Sequence, residues 1–154
     1  MLVLGHQASV IREGLKTDLS HPKLHIVKNR EYKRGISSSI QAGLTVAEED
    51  CDHVMILLAD IPGITSRLIN RLIHGYDASG RSLGAVRVEN RRSHPVIIGR
   101  KFFMELHLLE GDNGAKALFL KYPDQVCLVD PEGHYNDMDI DTLEDYDTFS
   151  RKKK

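Results

Sequence analysis

The sequence predicts a three-layer α/β domain with a mostly parallel sheet and one antiparallel strand pair. Three observations carry that reading. Apolar strand-like runs alternate with helical periodicity up to Tyr76, the habit of a parallel sheet covered by helices. The run Val54 to Ala59 is apolar without alternation, as in strands buried on both faces. Leu83 to Val88 and Pro95 to Ile98 are joined only by the polar turn Glu89 to Ser93. That link is too short for a crossover helix, so the pair is antiparallel.

The elements follow in order. Met1 to Leu4 is a first strand closed by Gly5, and a helix with Ala8, Ile11 and Leu15 on one face follows. Leu24 to Val27 is a second strand, and Asn29 to Gly35 a polar loop. Ile36, Ile40, Leu44 and Ala47 recur at helical spacing. After the third strand, Thr65 caps a helix whose inner face is Leu68, Ile69, Leu72, Ile73 and Tyr76. Beyond the antiparallel pair, a helix covers Lys101 to Leu109. Another follows Gly111 to Gly114, with Ala115, Leu118, Phe119 and Tyr122 inside. Val126 to Val129 is the last strand. Thr142 and Asp145 form a capping-box-like pattern before a final helix. The organisation is one domain over residues 1–150 and a solvated basic tail, 151–154.

Composition fits one compact core: 154 residues, 41% hydrophobic. The 21 basic and 22 acidic residues nearly cancel, which gives no reason to expect nucleic-acid or membrane-surface binding. No segment has membrane-spanning length and no secretory pattern opens the chain. Cys51 and Cys127 lack Cys-x-x-Cys spacing, so free thiols in a reducing cytoplasm are expected.

Candidate chemistry sits at strand ends and helix starts. Asp60 is the carboxylate on which the apolar run in His53 to Pro62 stops, two positions before Pro62. Ligands of parallel sheets bind beyond such carboxyl ends, and a carboxylate there can hold a divalent cation against phosphate. A turn aspartate before proline is the plainer reading. Asn29-x-x-Tyr32-x-x-Gly35-Ile36-Ser37-Ser38-Ser39-Ile40-x-x-Gly43 offers N–H groups and hydroxyls to an anion or a base. A capped helix with spare surface serines accounts for it too. Asp139 and Asp141, one residue apart, point to one side of an extended chain and could complete a hard-metal site with Asp60. Helix capping also explains Asp141. Ser93-His94-Pro95 and Gly111-Asp112-Asn113-Gly114-Ala115-Lys116 complete the set. No Walker frame, nucleophile elbow or His-Glu-x-x-His helix is present.

In this order, the stretches Asn29 to Gly43, Leu57 to Pro62, His94-Pro95-Val96, Gly111 to Ala115 and Asp139-Ile140-Asp141-Thr142-x-Glu144-Asp145 resemble the MobA-like nucleotidyltransferases. The match is nearest to the molybdenum-cofactor cytidylyltransferase branch and runs from Val3 to Phe149. The resemblance implies a Rossmann-like α/β/α fold of the nucleotide-diphospho-sugar transferase type. It implies joining of CTP or GTP to a phosphorylated molybdopterin-type acceptor, with Mg2+ bridging the phosphates. On that reading Asp60 and Asp139 are the catalytic metal-binding carboxylates, and Asp141 supports them. Gly35, Ser37, Ser38, Ser39 and Gly43 lie near base and ribose. His94, Pro95, Gly111, Asp112 and Gly114 face the acceptor.

One departure matters. Family members open with a glycine-rich loop of the form Leu-Ala-Ala-Gly-x-Ser-x-Arg-Met-Gly, followed by a lysine, which wraps the triphosphate. This sequence has no such stretch, so the domain is expected to be N-terminally truncated and impaired, whether a fragment, a mis-started frame or a degenerate relative. An accessory protein of molybdoenzyme maturation, or a transferase acting on a sugar or alcohol phosphate, are the alternatives. Unpaired sheet edges would favour association with itself or with a molybdoenzyme.

Overall fold

The computed structural model describes residues 1–152. In chain order the elements are β1 (Leu2–Leu4), α1 (Ala8–Gly14), β2 (Ile26–Lys28), α2 (Ile36–Ala47), β3 (His53–Ile56) and α3 (Ser66–Ser79). Then come β4 (Leu83–Val88), β5 (Arg91–Gly99), α4 (Phe103–His107), α5 (Lys116–Lys121), β6 (Val126–Val129) and α6 (Leu143–Lys152). The chain divides into two compact units. One holds Met1–Val54 and Gly99–Asp124, the other Met55–Ile98 and Gln125 onward.

In the first unit β1 and β2 run parallel, with Leu2 opposite Ile26 and Leu4 opposite Lys28. The α2 helix packs on β1, and Gly43 permits this, since a Cβ there would meet Val3 at 3.0 Å. Leu44, Phe102, Phe103, Leu106, Leu118 and Phe119 are the buried apolar side chains of its helical part. The predicted inner face of α1 is not buried: Ile11 is 43% exposed and the helix buries no residue. A seven-residue helix without a side-chain cap has little stability of its own, and it brings no apolar face into a core.

The second unit is built on a sheet of order β3-β5-β4-β6. The expected antiparallel pair is β4 with β5, and β4 runs parallel to β6. With the parallel β1–β2 pair, pairing is mainly parallel. The β4–β5 turn is only Glu89 and Asn90, at φ 47° and 62°. Both positive φ values mark the two-residue hairpin turn whose twist suits the flanking strands, so β5 begins earlier than the sequence indicates. Thr65 caps α3, its hydroxyl accepting from Leu68 N–H at 3.2 Å. Leu68, Leu72 and Tyr76 turn inward as predicted and join Ile61, Val86, Ile97 and Tyr135 in one core. Ile73 does not: it is 38% exposed.

One further expectation needs correction. The strand β3 ends at Ile56, short of Ala59, and is not buried on both faces. It lies at an edge of its sheet, and Leu57, just beyond it, is 46% exposed. Arg151 and Lys152 continue α6, with Arg151 exposed; Lys153 and Lys154 lie outside the described residues. The capping box on α6 forms as read, with Asp145 N–H donating to Thr142 Oγ1 at 3.1 Å and Thr142 N–H to Asp145 Oδ2 at 3.0 Å. Both cysteines are free, and among the described residues no helix is long and apolar enough to cross a membrane.

Candidate functional site

In the second unit, the chain from Leu57 to Thr65 leaves β3 as an irregular loop carrying Asp60. Its backbone is anchored by burial of Ile61 while the Asp60 side chain stays exposed. A second irregular stretch, Pro131 to Asp141, returns past it. Without a ladder to hold it, that stretch is fastened by side chains. Tyr135 Oη donates to the His94 carbonyl at 2.8 Å. Arg91 makes a forked pair with Asp137 at 2.7 and 2.9 Å, and Ser93 Oγ donates to the same carboxylate. Ile140 N–H donates to the Asp60 carbonyl at 2.8 Å. The backbone next to Asp139 is thereby tied to that of Asp60.

The β5 strand has a bulge at this place. Ala85 pairs with Val96, but Val86 pairs with Ser93, so His94 and Pro95 have no partners in the ladder. Bulges of this kind re-aim side chains. The His94–Pro95 bond is cis. Pro95 is buried, and the half-buried His94 lies within electrostatic reach of both Asp60 and Asp139. Burial pushes the imidazole below the usual histidine range. Arg92 pushes the same way, while the Ile56 carbonyl and the two carboxylates pull back. Burial opposes ionisation of Asp137, but its hydrogen bonds from Arg91 and Ser93 outweigh it and leave the carboxyl below the usual range.

Asp141 is exposed beside the α6 cap and shares an open depression with Asp137, Asp139 and Asp145. Among the described residues, no three His, Cys, Asp or Glu side chains converge as a metal-binding group. A pair of exposed carboxylates is nevertheless the donor set that Mg2+ takes, since it keeps several waters and leaves positions for phosphate oxygens. Asp60 and Asp139 fit that ion.

The first unit assembles the serine cluster. Asn29, buried at the end of β2, is its hub: its side-chain amide donates to Ser38 Oγ at 2.9 Å and Ser39 Oγ at 3.0 Å, and its Oδ1 accepts from Glu31 N–H at 2.8 Å. Ser38 Oγ faces the carbonyls of Gly35 and Glu31 at 2.8 and 3.0 Å. Gly35 has φ 93°, and a Cβ there would lie 2.5 Å from the Gly111 carbonyl carbon and from Asp112 Oδ1. Asp112 Oδ1 accepts from Ile36 N–H at 3.2 Å, so a carboxylate already caps α2. Gly114 packs against Ile36 and Ile40. The Gly111–Gly114 turn thus seats on the start of α2. The Asp112 carboxylate disfavours a phosphate at this helix end.

One hydroxyl there is idle. Ser37 is 1% exposed, and its Oγ is the single buried side-chain nitrogen or oxygen among the described residues without a hydrogen-bond partner. It borders a hollow of about 280 Å³ shared with Arg34, Ser38, Gln41, Leu109, Glu110 and Gly111. Sequence reading singled out the serines but not Gln41, Arg91, Tyr135 or Asp137. Only the alternation Asp137, Asp139, Asp141 hinted at the last.

Residues 3–126 match the MobA-like NTP transferase domain. A homologue of Mycobacterium tuberculosis Rv0371c, from Mycobacterium sp. strain JC1, superposes with TM-score 0.78 at 26% identity over 97% of this chain and 72% of its own. Rv0371c of M. tuberculosis H37Rv gives 0.78 at 25% identity over 97% and 74%. The same protein in complex with manganese gives 0.75 at 24% identity over 96% and 75%. No curated protein matches the chain. The mixed α/β architecture, with its mainly parallel pairing, is that of these Rossmann-like neighbours. With its ordered motifs and this domain match over most of its length, the chain belongs to the MobA-like NTP transferase family.

Proposed function

We propose that this chain is a nucleotidyltransferase domain of the molybdenum-cofactor cytidylyltransferase type. It takes CTP or GTP and a phosphorylated pterin acceptor, and the products are a dinucleotide and pyrophosphate. The observation that carries this is the Ile140–Asp60 backbone hydrogen bond, which ties the Asp139 segment to the Asp60 loop beyond the end of β3. Nucleotidyl transfer needs positioning and charge neutralisation more than a protein nucleophile, and no nucleophile motif is present. Asp60 and Asp139 would hold Mg2+, with Asp141 in support. The ion would neutralise phosphate charge and polarise the reacting phosphoryl oxygen. The manganese complex of Rv0371c is a relative's precedent for a divalent ion.

The other residues have assignable tasks. Ser37, with an unpaired buried hydroxyl, and Ser38 and Ser39, braced by Asn29, would address base and ribose. Gly35 and Gly43 allow the close packing that sets them. His94, kept neutral by burial, would meet the acceptor as a hydrogen-bonding group rather than a cation.

Arg30, Lys33 and Arg34, all exposed on the loop before the serines, are cations available to phosphate charge. The second reading is a non-catalytic binding protein for molybdoenzyme maturation. The test is pyrophosphate release with Mg2+, CTP or GTP, and molybdopterin, alongside Mn2+ binding by calorimetry. Metal binding abolished by Asp60→Asn, with turnover by the unaltered chain, supports the transferase. Metal and nucleotide binding without turnover supports the binding protein, and absence of both refutes the site.

A further inference from the structure

We propose that Arg91, Ser93 and Asp137 form a clamp whose task is to set Asp139 against Asp60, making Asp137 a positioning residue. This rests on the metal-site reading above, which assigns these three residues nothing. The stretch from Pro131 to Asp141 has no helix or strand of its own. Its place is decided by a few fastenings, and the Asp137 carboxylate is the most heavily bonded of them.

That carboxylate is 9% exposed and takes three hydrogen bonds from two residues. Arg91 and Ser93 are one residue apart on β5, directly before the bulge that carries His94. A fork from arginine fixes direction as well as distance, which a single bond does not. The clamp therefore ties the segment to the strand whose bulge faces the site. Two residues on, Asp139 is delivered, and one residue later Ile140 closes on Asp60. Gly63 completes the fit from the other side, since its bare Cα lets the Asn136 carbonyl approach to where a Cβ would be 2.1 Å away.

A purely stabilising ion pair would have no reason to report at Asp60. The same unit contains a matched control: Arg87 forks onto Asp130 in the same way, at 2.6 Å through Nε and again through Nη2. That pair is exposed and lies at the beginning of the segment, away from Asp139 in sequence. Loss of either pair costs an ion pair. Only loss of the Asp137 clamp frees the carboxylate that the site needs.

The experiment compares Asp137→Asn, Asp130→Asn and the milder Ser93→Ala, each confirmed folded by thermal melting. Two readouts are taken on the full chain: exchange of the Ile140 amide hydrogen, and Mn2+ affinity. The expected result for Asp137→Asn is about tenfold faster Ile140 exchange and about ten- to hundredfold weaker Mn2+ binding, the usual cost of losing an outer-shell partner. Asp130→Asn should match the wild type, and Ser93→Ala should fall between. Equal Ile140 exchange in Asp137→Asn and Asp130→Asn overturns the clamp. Faster exchange with unchanged Mn2+ affinity overturns its role at the site. If the wild type binds no Mn2+, the metal reading fails, and the clamp is judged by Ile140 exchange alone. If Asp137→Asn does not fold, Ser93→Ala decides by the same two readouts.

Discussion

Asp60 and Ile140 are joined backbone to backbone, the Ile140 N–H donating to the Asp60 carbonyl at 2.8 Å. Eighty positions apart in sequence, they tie the segment of Asp139 to the loop of Asp60. His94 feels the charge of both aspartates.

This juxtaposition ranks the three acidic residues. Asp60→Asn and Asp139→Asn should each weaken Mn2+ binding by no less than about tenfold, because a direct ligand matters at least as much as an outer-shell partner. Asp141→Asn should change it by about threefold at most, since Asp141 directly precedes Thr142 in the α6 cap. Calorimetric titration of the three variants checks the order. A larger loss from Asp141→Asn than from Asp139→Asn would reverse the assignment.

Gly63 is the tightest glycine of the second unit. Gly63→Ala places a methyl group against backbone, the Asn136 carbonyl, rather than against a flexible side chain. The cost should be about 1–3 kcal/mol, as for other overpacked sites. Melting measures that cost, and faster exchange of the Ile140 amide should accompany it. Gly80→Ala meets nothing within 4 Å and pays only for its φ of 63°, so it should leave Ile140 exchange unchanged.

Leu72 and Ile73 are neighbours on α3 with opposite fates. Leu72 is fully buried, so Leu72→Ala should cost about 3 kcal/mol and lower Tm by about 10 °C. Ile73→Ala should cost much less, because the side chain is 38% exposed. Comparable losses from both would contradict the observed rotation of the helix.

Tyr135 sets an alkaline limit. Burial, aided by the Asp137 charge, pushes its phenol up to about 12. The folded form thus holds this proton more tightly than the unfolded chain does. Its contribution is complete below the ordinary value of 10.0 and is lost as pH rises through about 12. Ultraviolet titration should show it ionising after the exposed tyrosines, in step with unfolding. Tyr135→Phe should remove that late step and release the His94 carbonyl.

At the other end of the scale, the Thr142 hydrogen bonds hold the Asp145 carboxyl below the usual range. The cap on α6 is present above the ordinary carboxylate value of 3.8 and is lost as pH falls through the lower folded value. Circular dichroism between pH 5 and 2 (approximate limits spanning that window) should show helix loss in the wild type that Thr142→Ala already shows at neutral pH.

Local chemistry was legible where local bonds decide. The bounds of β4 and β6, the start of α2 at Ile36, the Thr65 cap and the Thr142–Asp145 box were all readable, because each depends on residues within a few positions. The inner face of α1 was misread, since periodicity says which side of a helix is apolar but not whether anything covers it. The length and burial of β3 were misread for the same reason. An apolar run does not reveal that its strand lies at a sheet edge.

What the sequence by itself determined is the fold class, the order of elements and the residue types from which a site could be made. What only the tertiary structure decided is which of them meet. The bulge at His94 and Pro95 depends on pairing with β4. Asp112 reaches Ile36 across 76 positions, and Asp137 reaches Arg91 across 46. No periodicity encodes such contacts. The Asp137 contact forms because a largely buried carboxylate must find donors and a segment without a ladder must be held by its side chains.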